Sequence, residues 1–179
     1  MAKKLADLSK PELRSEITKS VFVVFAFSAV SIAIFFTIPY DGMVRNNQAV
    51  LRLIVGLGLL ALVVVLLVRR IRSAPLPQLK ALEALVVVLM KFICLFAGTY
   101  LMVSHFDSSA FDEPLTHVSA LYFTVVTFGT VGFGDIVAQS DFARLLVSVQ
   151  IILDFVFIAA ILRALISVAQ QSLQLAQDG

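Results

Sequence analysis

The segment from Gly129 to Asp135 holds the residues of this sequence that are best placed for chemistry, and that chemistry belongs to the backbone. Glycine occupies positions 129, 132 and 134, so the segment cannot extend the apolar run before it as a helix. Irregular backbone at membrane depth is tolerated only where it is buried in protein or lines a water-filled or ion-filled path. We therefore predict that this segment exposes its backbone carbonyls to such a path.

The other reactive side chains do not form a known catalytic or metal-binding pattern. His105 and His117 lack the spacing of metal ligands, and the sequence has no HExxH pattern and no Ser/His/Asp order. Cys94 is the single cysteine and lies inside an apolar stretch, which favours a buried thiol. We predict a protein that is not an enzyme and that uses no organic cofactor.

The elements around the glycine-rich segment are predicted from hydropathy. Of the 179 residues, 60% are hydrophobic and 15% are charged, and the mean hydropathy of +0.98 indicates a membrane protein. A bilayer core of about 30 Å requires roughly 20 apolar residues in a helix. Four segments meet that length, and we predict spans at about residues 21–38, 49–68, 84–104 and 142–168.

A shorter apolar run, residues 119–128, lies between the third and fourth spans and directly before the glycine-rich segment. It is too short to cross a bilayer. Because full spans lie on both sides of it, the run must return to the face that it left. We predict a re-entrant helix.

Basic residues gather on one side of the predicted spans. If both termini are cytoplasmic, ten of the fourteen Lys and Arg residues fall on that side, as the positive-inside rule requires of a multi-pass cell-membrane protein. These ten are Lys3, Lys4, Lys10, Arg14, Lys19, Arg69, Arg70, Arg72, Lys80 and Arg163. The opposite side is acidic and would concentrate cations. The composition does not suggest a nucleic-acid partner.

The residues from Thr127 to Asp135 read Thr-Phe-Gly-Thr-Val-Gly-Phe-Gly-Asp, which resembles the T-x-x-T-V-G-[YF]-G-D signature of the potassium-channel pore family. The resemblance covers about residues 84–168. It implies an all-α membrane protein with four transmembrane helices per subunit, a re-entrant pore helix and a selectivity filter. It also implies a homotetramer with cyclic symmetry, so that three identical subunits are partners of each chain.

The resemblance assigns K⁺ binding to the filter segment, Thr130 to Gly134, because rings of carbonyl oxygens replace the hydration shell of the ion. The coordinating carbonyls would be those of Thr130, Val131, Gly132 and Phe133, joined by the Thr130 hydroxyl. Gly134 and Asp135 would support the filter. Gly132 and Gly134 permit the positive φ angles that orient the carbonyls.

Two positions differ from the commoner family pattern. Phe133 replaces a Tyr whose hydroxyl connects the filter to the pore helix in many relatives. Val126 replaces a Glu that in some bacterial relatives pairs with the Asp after the filter. Asp135 therefore requires another partner, either Tyr122 or the Gly134 region of a neighbouring subunit.

Two ionisable residues, Lys91 and Asp154, lie deep in predicted spans, where each costs about 2.5–3.5 kcal/mol unless it is paired or hydrated. Helical spacing places Phe155, Ile158 and Leu162 on one stripe, the predicted cavity lining and gate, with Asp154 on its flank. Asp154 either forms a ring of four carboxylates that gathers K⁺ or pairs with Lys91, and the pair is the interpretation that we favour.

The predicted organisation has four parts. Residues 1–19 form a cytoplasmic N-terminal segment, in which Ser9-Lys10-Pro11-Glu12 favours a capped helix on the membrane surface or a solvated lead-in. Residues 20–80 form a two-helix transmembrane hairpin, 81–170 the pore domain and 171–179 a short cytoplasmic tail. The hairpin lacks the Arg at every third residue of a voltage sensor, which favours a packing or assembly role.

The sequence thus predicts a potassium-selective channel that conducts K⁺ passively across the lipid bilayer without a conventional voltage sensor. Two other functions stay open at this point. One is a less selective cation channel, and the other is a non-conducting membrane scaffold with a relic filter.

Overall fold

A computed structural model describes residues 10–38, 46–72 and 77–177 of the chain. These residues form five helices, and their one isolated β-bridge joins Phe111 to Ala138. The helices are α1 (Lys10–Thr37), α2 (Asn46–Arg72), α3 (Pro77–Phe106), α4 (His117–Phe128) and α5 (Asp141–Gln177). The all-α prediction is confirmed.

Three helices in the described residues are long and apolar enough to cross a membrane. Their candidate spans are Arg14–Thr37 in α1, Leu79–Phe106 in α3 and Asp141–Arg163 in α5. The remaining predicted span, residues 49–68, falls on α2, whose described apolar stretch is shorter, at Leu51–Leu67. The chain is therefore an α-helical membrane protein.

Two helices extend further than the sequence predicted. α1 begins at Lys10 and continues into the first span without a break, because neither Gly nor Pro follows Pro11 before Thr37. The described part of the N-terminal segment is thus continuous with the span, whereas the cap at Ser9 lies outside the described residues. α5 likewise continues to Gln177, so the predicted tail is helical up to that residue.

α3 is the helix that all the others contact. α1 and α2 each pack against it, as do α4 and α5. In the described residues α1 and α2 have few contacts with each other, so both are held mainly by α3. Aromatic side chains fill the core between α3, α4 and α5. They are Phe92, Phe96, Tyr100, Phe111, Phe123, Phe128 and Phe157.

Candidate ion-conduction site

α4 has a defined start and points its C-terminal end toward the filter segment. Thr116 is the N-cap, and it exchanges hydrogen bonds with Ser119 in a capping box that satisfies two backbone N–H groups. At the other end, the N–H groups of Gly129, Thr130 and Val131 donate to carbonyls of the last turn at 2.8–3.0 Å. The filter segment therefore begins at the partially negative end of α4.

The chain enters and leaves this region at the same place. The Asp112 carboxylate accepts a 2.8 Å hydrogen bond from the Val137 N–H, and the Asp112 N–H donates to the Val137 carbonyl at 3.1 Å. The Gln139 N–H donates a hydrogen bond to the Ala110 carbonyl at 2.8 Å. These contacts join the loop before α4 to the loop after the filter segment. The two ends of the segment meet, as a re-entrant helix requires.

The filter segment has left-handed backbone at every second residue. The φ angles are +55° at Thr130, +56° at Gly132 and +76° at Gly134. Gly132 and Gly134 were predicted to adopt positive φ, and this is confirmed. Thr130 was not predicted, because a residue with a Cβ adopts positive φ only at a local cost that its surroundings must offset.

This alternation has a chemical consequence. In an ordinary strand, successive carbonyls point to opposite sides, whereas a left-handed residue at every second position turns them toward one side. A row of carbonyl oxygens on one side can replace the water shell of a cation. The alternating φ angles of the filter segment are compatible with such a row of carbonyls.

The filter segment is open on the side away from its own helices. In the single chain, Val131 is 56% exposed and Phe133 is 69% exposed. A cavity of about 570 Å³ also separates the filter segment from α5, and it reaches Thr130, Asp154 and Phe155. Exposed apolar side chains beside an open cavity are typical of surfaces that another chain covers.

Asp135 is paired with Tyr122, one of the two partners predicted for it. The Tyr122 hydroxyl donates a 2.6 Å hydrogen bond to Oδ2 of Asp135. This bond connects α4 to the residue that follows the filter segment. It also raises the pKa of the Tyr122 phenol above its usual value, because the bond favours the protonated form.

A buried polar network lies behind α4. The Tyr100 hydroxyl donates to Oε1 of Gln150 at 2.7 Å, and Nε2 of Gln150 donates to the Thr124 carbonyl and to Oδ2 of Asp154, both at 3.3 Å. The network joins α3, α4 and α5. Tyr100, Thr124 and Gln150 were not predicted from the sequence as members of a functional network. The available signal was Gln150 itself, a polar residue one helical turn before Asp154 on an apolar helix.

In the described part of the chain Lys91 and Asp154 form no ion pair with each other, so the favoured pair stays a prediction. Asp154 points into the network of Gln150, whereas Lys91 lies 6.0 Å from the ring centroid of Phe27 on the α1 side of α3. The similar depth predicted for the two residues therefore does not make the Lys91 and Asp154 side chains face each other. Asp154 is 2% exposed even in the single chain, and its Oδ1 has no hydrogen-bond partner among the described residues. Asp154 also lines the cavity beside the filter segment, so the ring of four carboxylates stays a prediction as well.

The predicted cavity-lining stripe lies on an uncovered face of α5. Phe155 and Leu162 are exposed in the single chain, and Phe155 and Ile158 border the cavity beside the filter segment. The role of Phe155, Ile158 and Leu162 as cavity lining or gate stays a prediction.

The fold and the site define an α-helical membrane protein in which a short helix and an irregular carbonyl-bearing segment lie between two long helices. Residues 85–171, which include most of α3, all of α4 and the filter segment, match the protein family described as "Ion channel". This part of the chain is therefore similar to an ion-channel domain. No curated protein and no solved structure matches the chain.

Proposed function

We propose that the protein is a potassium-selective channel that conducts K⁺ passively across the cell membrane. The observation that carries the proposal is the positive φ at Thr130, Gly132 and Gly134, an alternation that would turn successive carbonyls of the filter segment to one side. The resemblance of this segment to the potassium-channel signature supports K⁺ as the ion. The match to an ion-channel family supports passive conduction.

The proposed K⁺ ligands are the Thr130 hydroxyl and the carbonyls of Thr130, Val131, Gly132 and Phe133. An ion that enters a narrow pore must exchange its water shell for protein oxygens at little net cost. One chain supplies one side of each oxygen cage, so the cages require several copies around an axis. We propose four copies, as the resemblance implies, and their packing would cover the exposed Val131 and Phe133.

Both termini would be cytoplasmic in the proposed arrangement, and each subunit would have four transmembrane helices. α1 and α2 would brace α3 and would not sense voltage. In support, the rings of Phe35 and Phe36 at the end of α1 contact His117 at the start of α4. This contact joins the N-terminal helices to the helix that carries the filter segment.

Uptake of Rb⁺ by liposomes containing the purified protein tests the proposal. An outward K⁺ gradient should drive concentrative Rb⁺ uptake, because K⁺ efflux sets up an inside-negative potential. External Na⁺ should not replace Rb⁺. Equal uptake of Na⁺ would favour the less selective channel, and no uptake of either ion would favour the scaffold.

A further inference from the structure

A groove of about 720 Å³ lies on α3 between α1 and α2, and none of the filter residues lines it. It exists because α1 and α2 each pack on α3 and, in the described residues, have few contacts with each other. Its lining is mainly apolar and comes from all three helices. Apolar side chains in it include Ile34, Leu59, Leu60, Val63, Leu95 and Met102.

Two cationic side chains also line this groove, Arg52 from α2 and Lys91 from α3. Lys91 lies near the middle of α3, about 20 Å of helix from either Pro77 or Phe106. A charge at that depth is unfavourable unless it is paired or hydrated. The groove therefore has a mainly apolar lining, but it also carries positive charge far from the membrane surface.

The described residues supply little compensation for the Lys91 charge. Its Nζ lies 6.0 Å from the ring centroid of Phe27, which is the outer limit of a cation–π interaction. None of the acidic side chains in the described part of the chain forms an ion pair with it, and Asp154 is engaged by Gln150. An anion that enters the groove would supply the missing charge.

We propose that this groove binds a long-chain fatty acid, with its carboxylate at Lys91 and its hydrocarbon chain along the apolar lining. From Arg52 to Val63, α2 borders the groove over about 16 Å, which suits one extended hydrocarbon chain. Apolar burial of that chain favours binding, and the ion pair positions the head.

The depth of Lys91 favours a fatty acid over a phospholipid. A carboxylic acid can enter hydrocarbon in its neutral form and then ionise beside a positive charge, which stabilises the carboxylate. A phosphodiester stays charged and therefore stays near the membrane surface. The proposal concerns a second site and does not depend on which ion the filter segment conducts.

Native mass spectrometry of the purified full-length protein, titrated with oleate, tests the proposal. Oleyl alcohol is the neutral probe with the same chain. We expect Lys91→Gln to weaken oleate binding at least tenfold and to leave oleyl alcohol binding unchanged. Lys80→Gln is the matched control, because Lys80 lies on the same helix, pairs with Glu83 at 2.6 Å and does not line the groove.

A second variant tests the groove while it keeps the charge. Leu59→Trp should fill the space and weaken the binding of both probes. Unchanged oleate binding in Lys91→Gln, or an equal loss in Lys80→Gln, would overturn the proposal. It would also be overturned if phosphatidylglycerol, but not oleate, bound in a manner that requires Lys91. Binding is measured without conduction, so failure here is distinguishable from failure of the channel proposal.

Discussion

The Tyr100 hydroxyl donates a 2.7 Å hydrogen bond to Oε1 of Gln150, and both side chains are fully buried. The bond joins α3 to α5, and the same Gln150 amide donates to the Thr124 carbonyl of α4. One side chain thus connects the two long helices α3 and α5 to the helix that carries the filter segment. A buried amide of this kind stabilises one arrangement of the three helices, because any other arrangement leaves its polar atoms unsatisfied.

Tyr100→Phe should destabilise the protein by about 1–3 kcal/mol, because it leaves the buried Gln150 Oε1 without a donor. Gln150→Leu should have a similar effect. The double variant should lose less than the sum of the two, since the second change removes a group that is already unsatisfied. Thermal unfolding in detergent measures all three variants. Strict additivity would show that the bond does not contribute to stability.

Tyr122→Phe should reduce sustained K⁺ flux severalfold, because it removes the 2.6 Å hydrogen bond that holds Asp135 after the filter segment. Asp135→Asn should reduce the flux by a similar factor. Asp141→Asn is the control, as it changes an exposed carboxylate in the first turn of α5. Rb⁺ uptake by liposomes measures the effect. Normal uptake in both Tyr122→Phe and Asp135→Asn would show that this hydrogen bond is not needed for conduction through the filter segment.

Asp154 and Lys91 should be energetically independent, because their side chains face different groups in the chain. Asp154→Asn should leave stability unchanged or raise it, since it removes a charge from a site where Oδ1 has no partner in the described part of the chain. Adding Lys91→Met should change stability by the same amount in either background, within about 0.5 kcal/mol. A coupling energy above about 1 kcal/mol in this double-mutant cycle would contradict independence and would support an ion pair between Lys91 and Asp154.

Gly132→Ala should abolish K⁺ flux while the protein still folds. A Cβ at this position has no neighbour within 4 Å, so the barrier is the φ of +56°, which costs an L-residue roughly 1–2 kcal/mol. Gly58→Ala is the matched control, because Gly58 lies within α2 and also has no neighbour within 4 Å. That control should conduct normally. Flux through Gly132→Ala equal to flux through Gly58→Ala would argue against the filter assignment.

The sequence was most informative where a physical constraint acts on a few neighbouring residues. Glycine spacing predicted the irregular segment after α4, and the length of the preceding apolar run predicted a helix too short to span. The partner of Asp135 was also among those predicted, because Tyr122 lies on the helix leading to the same segment. These inferences depend on local sequence and on the thickness of a bilayer.

Other features depend on contacts that depth alone does not define. Lys91 and Asp154 lie at similar depths, but the rotation of each helix about its axis decides which neighbour a side chain meets. That rotation places Asp154 beside Gln150 and Lys91 beside Phe27. The positive φ at Thr130 was missed for a related reason, because it depends on hydrogen bonds to the last turn of α4 and not on residue type.

The most direct test of the central claim is the reversal potential of the protein in a planar bilayer, with K⁺ on one side and an equal concentration of Na⁺ on the other. If the carbonyls of the filter segment replace the water shell of K⁺, the current should reverse at a voltage far from zero. At that voltage the K⁺-containing side should be negative, because only K⁺ crosses. Gly58→Ala should give the same value. A reversal potential of zero, with measurable current, would contradict potassium selectivity.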